Sequence, residues 1–155
     1  MRDFTIALTL TIALAGCAAA APQSAALSSA SKPVSPTAPQ LAGTQWRFVA
    51  LHGQSIPDEV HATLRFDDKG RASGRAGCNS YGGLFLAGGD GALHFEQMLS
   101  TKMACLQPAG AMGVERGVMD VLDHTAHARV ENAEMTLLDV TGQPLATLKS
   151  DNASQ

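Results

Sequence analysis

The sequence has few aromatic residues, few charges and no run of basic side chains. Aromatic residues make up 5% and charged residues 16% of the chain, and its 11 lysines and arginines are scattered. Nucleic-acid binding requires clustered basic residues, so no nucleic-acid partner is predicted. A single apolar run lies at the N-terminus and no second one follows, which argues against an integral membrane protein. The zinc-binding spacings CxxC and HExxH are absent, so no metal or other cofactor is expected.

The apolar run from Phe4 to Leu14 has the length of the hydrophobic region of a signal peptide. As a helix it would span roughly 16 Å, whereas a bilayer core is about 30 Å thick. The sequence Leu14-Ala15-Gly16-Cys17 then matches the lipobox of bacterial lipoproteins. We therefore expect a lipoprotein signal peptide over residues 1–16 and lipidation of Cys17; the alternative is an ordinary secretory signal with a chance cysteine.

Residues 17–40 are predicted to be the lipidated cysteine and a flexible tether. They are rich in alanine, serine and proline, contain no aromatic residue, and Lys32 is their only charge. Such a segment cannot bury enough apolar area to offset its conformational entropy. Ala18, rather than aspartate, follows Cys17. By resemblance to Gram-negative lipoproteins, this favours a lipid anchor in the outer membrane, with the folded domain facing the periplasm.

Residues 41–149 are long enough for one small domain, followed by a short tail over residues 150–155. Turn signals divide this domain into short strands, including three hairpins. The strand candidates are Gln45–Leu51, Ala62–Phe66, Arg71–Ala76, Gly82–Ala87, Ala92–Glu96, Met135–Asp139 and Leu145–Lys149. Residues 111–124 instead have apolar side chains at helical spacing. The predicted fold class is α+β, mostly β, with about eight strands in a barrel-like or two-layer arrangement and one helix.

Two cysteines, Cys78 and Cys105, remain after Cys17. Outside the cytoplasm such a pair favours a disulfide. A nucleophilic Cys78 would need a histidine base, and no spacing singles out one of the five histidines, which are His52, His61, His94, His124 and His127. A zinc site would need further ligands at recognisable spacing. Asn79 is expected to set a turn by bonding to its own backbone.

Three motifs resemble the META domain, the HslJ-type family of bacterial envelope proteins. They are GTQW from Gly43 to Trp46, GRAGCNSYGG from Gly74 to Gly83, and STKMAC from Ser100 to Cys105. The resemblance also includes a helical glutamate after the second cysteine. The residues that match the family motif are Gly43, Trp46, Gly77, Asn79, Thr101, Met103 and Glu115. The resemblance implies a compact β-rich fold with one helix and a disulfide between the cysteines, and no established catalytic mechanism.

The expected function is that of a non-enzymatic, lipid-anchored envelope module. By resemblance, it would support envelope integrity or tolerance of stress and antibiotics, of the heat-shock and novobiocin-resistance type. Its partners would be the membrane, through the anchor, and an unidentified envelope protein. Two alternatives remain: a thiol enzyme that uses Cys78, and a carrier of a small apolar ligand in a β-rich cup. The aromatic residues that would line such a cup are Trp46, Phe48, Phe66, Phe85 and Phe95.

Overall fold

The structure is a computed structural model that describes residues 34–151. The predicted signal peptide, the lipidation site Cys17 and most of the predicted tether lie outside the described residues. The helices are α1 (Ala38–Leu41) and α2 (Ala111–His124). The strands are β1 (Gln45–Leu51), β2 (Gln54–Ser55), β3 (Thr63–Phe66), β4 (Arg71–Ala76), β5 (Asn79–Ala87), β6 (Leu93–Ser100), β7 (His127–Glu131), β8 (Glu134–Leu138) and β9 (Pro144–Ser150). Within residues 34–151 neither helix has the length and apolar character needed to cross a bilayer.

The described strands form one antiparallel sheet that curls into a half-barrel. The strand order is β6-β5-β4-β3-β1-β9-β8-β7, and the short β2 pairs with β1. The strands at the two ends of this order meet at one corner, where Ala92 pairs with His127. Helix α2 packs against β6, β4, β1 and β9. The predicted mostly-β fold class with one main helix is therefore confirmed.

The core lies between the inner face of the sheet and α2. Along β1 the side chains alternate, so that Trp46 and Phe48 are buried and Arg47 is exposed, which is the pattern of a strand with one solvated face. The rings of Phe66 and Phe85 meet edge to face at 4.9 Å. The apolar face of α2 contributes Val118, Val121 and Leu122.

The three predicted hairpins and the predicted helix are present, and the helix has the predicted bounds. The structure also contains strands that the sequence patterns did not indicate. Strand β7 follows α2 almost directly, without the turn signal that marked the other strands, and β2 contains only two residues. Strand β5 begins at Asn79 rather than at Gly82, because this strand pairs with β4 as far as its first residue.

The sheet also holds the last residues of the predicted tether. The backbones of Val34 and Val130 exchange two hydrogen bonds of 2.9 Å, which add Val34 to the edge of β7. Helix α1 follows, and it ends at Leu41, whose side chain belongs to the core. The chain is therefore joined to the sheet before β1 begins.

Candidate functional site

The GCN motif begins with a glycine that no other residue could replace without strain. Gly77 has a φ of 63°, in the left-handed region that favours glycine. A Cβ atom at this position would lie 2.6 Å from the carbonyl oxygen of Ala111, in the first turn of α2. The missing side chain therefore lets the β4–β5 turn lie directly against the start of the helix.

Cys78 is joined to Cys105 by a disulfide with a Cα–Cα distance of 5.9 Å. This pairing agrees with the sequence prediction. Cys78 is buried and belongs to a small apolar cluster with Val60 and Ala111. In the disulfide neither sulfur is a thiolate, the form that a nucleophile or a metal ligand requires.

The next residue, Asn79, uses the full hydrogen-bonding capacity of its side-chain amide. It is 1% exposed. Its Oδ1 accepts hydrogen bonds from the Thr101 hydroxyl at 2.6 Å and from the Met103 backbone N–H at 2.8 Å. Its Nδ2 donates to the Met103 carbonyl oxygen at 2.9 Å and to a Glu115 carboxylate oxygen at 2.7 Å. A primary amide offers two donor hydrogens and two acceptor lone pairs, and all four are used here.

The expectation that Asn79 sets a turn through its own backbone is wrong. Asn79 is the first residue of β5, and its side chain bonds to residues 22 to 36 positions away in the sequence. The amide binds both backbone groups of Met103 as a neighbouring strand would. The connection from residue 101 to residue 110, which we call the clamped loop, contains no helix or strand. It is held by Asn79 and by the disulfide instead.

Glu115 connects this cluster to α2. It is 8% exposed and lies in the second turn of the helix, on the buried side together with Val118. Val114, one of the apolar residues within the predicted helix, is only partly buried. A charged residue at this place carries no apolar signal, so the sequence periodicity did not reveal its burial. Its hydrogen bond to Asn79 explains how a carboxylate is accommodated there.

The motif residues near the N-terminus form a second, separate cluster. Gly43 has a φ of 78° and precedes β1. The indole N–H of Trp46 donates to the Thr44 hydroxyl at 2.8 Å, and that hydroxyl donates to the Leu41 carbonyl oxygen at 2.6 Å. This chain of hydrogen bonds satisfies the polar atom of a tryptophan that is only 5% exposed.

Tyr81 and Gly74 form a complementary pair within the central motif. They lie opposite each other on β5 and β4, and the Tyr81 hydroxyl donates to the Thr63 carbonyl oxygen at 2.6 Å. A Cβ atom on Gly74 would collide with that same carbonyl oxygen. Burial raises the pKa of Tyr81 well above its usual range. The tyrosine therefore acts as a neutral hydrogen-bond donor in the core.

Two of the five histidines lie beside Asp120 on α2. His52 Nε2 is 3.2 Å from the Asp120 carboxylate. His124 Nδ1 lies 2.8 Å from the Asp120 carbonyl oxygen, and this hydrogen bond, together with the nearby carboxylates, raises the pKa of His124. His61 and His94 are exposed, and His127 is half-buried. Within residues 34–151 no three His, Cys, Asp or Glu residues are grouped so as to hold a metal ion.

The clamped loop and the end of β6 leave apolar side chains in solvent. Leu99 is 76% exposed, Met103 56% and Leu106 91%. An open cleft of about 380 Å³ lies beside Leu99, between the end of β6 and α2. Its lining includes Leu99, Lys102, Glu115, Arg116 and Met119. The clamped loop thus contributes Lys102 to this cleft, while its apolar side chains Met103 and Leu106 are exposed to solvent.

These features describe a class of protein: a half-barrel domain with one packed helix and a disulfide-closed loop. The META domain family matches the chain over residues 39–152, and the chain belongs to this family. An NMR structure of a protein from Burkholderia xenovorans is similar to it, with 26% identity and a TM-score of 0.59, over 74% of this chain and 86% of that one.

A second NMR structure is similar in fold, with 21% identity and a TM-score of 0.62. The match covers 77% of this chain and 99% of that one. None of the curated proteins matches the chain.

Proposed function

We propose that the protein is a non-enzymatic, lipid-anchored module of the bacterial cell envelope that binds a protein partner through the clamped loop. Its role would be to support envelope integrity or tolerance of heat and novobiocin. The lipobox that ends at Cys17 supports the anchor, because its small residues and cysteine are those that lipoprotein processing requires. The domain would face the periplasm, held at the outer membrane in a Gram-negative cell.

The observation that carries the binding role is the contrast between the backbone and the side chains of the clamped loop. A disulfide and the three Asn79 hydrogen bonds to Thr101 and Met103 hold the backbone. Met103 and Leu106 nevertheless remain largely exposed. Exposed apolar side chains on a rigid loop are typical of protein-binding surfaces, since little conformational entropy is lost on binding.

The arrangement of the motif residues also favours a binding module over an enzyme. Both cysteines of the domain are used in the disulfide, and the Asn79 amide has no remaining hydrogen-bonding capacity. A thiol enzyme would instead need a thiolate beside a base. The aromatic residues that could line an apolar cup are packed in or against the core, so ligand carriage gains no support from them.

The anchor is tested by the mass and location of the mature protein. The full chain is expressed in a Gram-negative host, fractionated and weighed intact, alongside a Cys17→Ser variant. We expect the wild type in the outer-membrane fraction, with a mass that begins at Cys17 plus acyl chains, and the variant in the soluble periplasmic fraction. An unmodified wild-type protein in the soluble fraction would contradict the lipid anchor.

The binding role is tested in a deletion strain of the source bacterium. Survival of heat and novobiocin is measured after complementation with the wild type, with Met103→Ser/Leu106→Ser, or with Val140→Ser. Val140 is 80% exposed in the β8–β9 turn, so its substitution is a control for the loss of an exposed apolar side chain elsewhere. We expect the loop variant to fail and the control to rescue. A deletion strain with wild-type survival, or full rescue by the loop variant, would contradict the proposal.

A further inference from the structure

The outer face of the sheet carries basic residues that are scattered in the sequence. Five exposed cations lie on four neighbouring strands, β9, β1, β3 and β4; they are Arg47, Arg65, Arg71, Arg75 and Lys149. We call this set the basic face. The chain as a whole has a formal net charge of −3, so the positive charge is local.

The pairing registers show that these side chains share one face. Residues that are directly opposite in an antiparallel pair point to the same side of the sheet. Arg47 lies opposite both Lys149 and Thr63, and the Arg75 backbone N–H donates to the Thr63 hydroxyl at 3.2 Å. Arg47 and Arg75 therefore flank Thr63 at two strand spacings, roughly 10 Å apart.

The adjacent row of the face contains Arg65 and then small residues. Arg65 lies opposite Ser73, Ser73 opposite Gly82, and Gly82 opposite Leu99. Because Thr63, Ser73 and Gly82 are small, they leave the guanidinium groups as the most prominent features of a broad, open surface. Its apolar margin on β5 and β6 consists of Leu84, Leu86 and Leu99, which are 37%, 55% and 76% exposed.

Carboxylates are found mainly at the edges of this surface. Arg71 is paired with Asp67 at 2.7 Å, and Arg47 lies 3.9 Å from Asp151. Arg65 and Arg75 have no acidic partner within 4 Å in the described part of the chain. Glu134 lies opposite Lys149 at one margin of the basic face, and Glu96 opposite Leu84 at the other.

We propose that the basic face docks on the anionic phospholipid surface of the membrane. The outward guanidinium groups complement lipid phosphates, and the leucine margin can enter the boundary between headgroups and acyl chains. A cleft of about 550 Å³ on the β4–β6 side of the face, lined by residues that include Arg71, Ser73 and Leu99, is open to solvent. A broad, open face of this kind fits an extended surface better than a small anion. The inference rests on the proposed lipid anchor, since a tethered domain has a high effective concentration at the membrane and can use a weak contact.

Docking would orient the domain rather than hold it at the membrane. The 17 residue-to-residue steps from Cys17 to Val34 could span at most about 56 Å, which would let either side of the domain reach the bilayer. Contact through β1, β3 and β4 would place the clamped loop, which follows β6, beside the membrane and open to a partner.

The test uses the chain from Ala18 to Gln155, which lacks Cys17, so that its result does not depend on lipidation. Flotation is measured with vesicles of phosphatidylethanolamine and phosphatidylglycerol, and with vesicles in which phosphatidylcholine replaces phosphatidylglycerol. We expect binding to the anionic vesicles alone, and weaker binding at high salt because exposed charges are screened.

The variant Arg65→Gln/Arg75→Gln should bind about 25-fold more weakly, at roughly fivefold per arginine near an anionic surface. Arg65→Lys/Arg75→Lys, which keeps the charge, should retain most of the binding. The matched control is Lys102→Gln/Arg116→Gln, with the same loss of charge at the cleft between the end of β6 and α2, and it should bind as the wild type does. Thermal unfolding of each variant establishes that it is folded.

Three results would overturn the proposal. One is equal binding, or none, to the two kinds of vesicle. Another is an equal loss of binding in the matched control. The third is binding to poly-glutamate as tight as to the anionic vesicles, which would assign the basic face to an acidic protein. Failure here leaves the anchor itself unaffected, because Cys17 is tested separately by mass.

Discussion

At the scale of single residues, the GCN motif has three distinct physical roles in three successive positions. Gly77 allows a close contact with α2, Cys78 forms the disulfide, and Asn79 holds the clamped loop. Each role depends on a property that no other residue type shares fully. The structure therefore accounts for the three residues of the motif by a close backbone contact, a covalent bond and a set of hydrogen bonds.

Replacing Asn79 should be costly because its partners would lose their hydrogen bonds. In Asn79→Ala, the Glu115 carboxylate and both backbone groups of Met103 lose a bond each. We expect a loss of about 2–4 kcal/mol in the free energy of unfolding, measured by urea titration. Asn79→Asp should be similarly unstable at neutral pH, because a carboxylate cannot donate to the Met103 carbonyl oxygen or to Glu115 as the Asn79 amide does. A loss below about 0.5 kcal/mol, typical of a surface substitution, would contradict this role.

Gly77→Ala should be worse than the same change at another left-handed glycine. Gly142 has a φ of 82°, and a Cβ atom there would have no neighbour within 4 Å, so Gly142→Ala measures the backbone cost alone. That cost is about 1–2 kcal/mol. Gly77→Ala adds a collision with the Ala111 carbonyl oxygen and should lose at least about 1 kcal/mol more. Equal losses in the two variants, measured by thermal unfolding, would mean that the close contact does not matter.

At the scale of elements, α2 is a helix stabilised by packing rather than by its own composition. It contains Gly113 and Gly117, and its N-cap, Gly110, provides no side-chain hydrogen bond. Its buried face includes Val118, Val121 and Leu122, and the packing of these residues supplies the stability that the low helix propensity of the glycines does not. The two glycines differ in their surroundings. A Cβ atom on Gly117 would meet Leu51 at 3.0 Å, whereas on Gly113 it would meet only the end of Arg116 at 4.0 Å.

Gly113→Ala should therefore stabilise the protein. Alanine gains about 0.5–1 kcal/mol over glycine in a helix, and the new methyl group meets no obstacle. The expected result is a rise of a few degrees in the unfolding temperature measured by calorimetry. Gly117→Ala should gain less, because Leu51 would have to move. An unfolding temperature for Gly113→Ala at or below that of the wild type would show that α2 is strained there in a way that the structure does not reveal.

Local sequence signals predicted the elements more successfully than the contacts between them. The turn signal between the predicted strands Ala62–Phe66 and Arg71–Ala76 and the apolar spacing in residues 111–124 each act within a few residues, and both predictions are confirmed. Strand β7 was missed because it begins after α2 without a turn signal. The basic face could not be predicted from the sequence, because the order of strands in the sheet brings together residues as distant in sequence as Arg47 and Lys149.

The residues of the candidate site were predicted from the sequence, but the contacts between them were predicted only in part. The cysteine pairing follows from the small number of cysteines and agrees with the structure. The burial of Glu115 and the role of Asn79 depend on partners 22 to 36 residues away, which local patterns do not reveal. The family resemblance named both residues without explaining them.

At the scale of the whole molecule, the domain combines a well-packed half-barrel with one irregular, covalently closed segment. The sheet and α2 bury the core, while the connection from β6 to α2 depends on Asn79 and the disulfide. Among the described residues, no buried side-chain nitrogen or oxygen lacks a hydrogen-bond partner. The clamped loop is thus held by a covalent bond and by side-chain hydrogen bonds.

Removing the disulfide should destabilise the whole domain. Cys78 and Cys105 are 27 residues apart, and closing a loop of that length stabilises a fold by about 3.5 kcal/mol in the chain-entropy model. We expect the Cys78→Ser/Cys105→Ser variant to unfold roughly 10–15 °C below the oxidised wild type. Wild-type protein treated with reductant should behave in the same way. An unchanged unfolding temperature would show that the Asn79 hydrogen bonds hold the loop without help.

The most direct test of the central claim, that Asn79 and the disulfide fix the clamped loop, is amide hydrogen exchange of Met103 followed by NMR. The Met103 N–H donates to the Asn79 side chain, whereas the Leu106 N–H has no acceptor in the part of the chain that the structure describes. We predict that the Met103 amide is protected at least about 100-fold over an unstructured peptide, and that Leu106 exchanges almost freely. Protection of Met103 should disappear in Asn79→Ala. If Met103 in the oxidised wild type exchanges as fast as Leu106, the loop is not clamped, and the binding role proposed for it loses its basis.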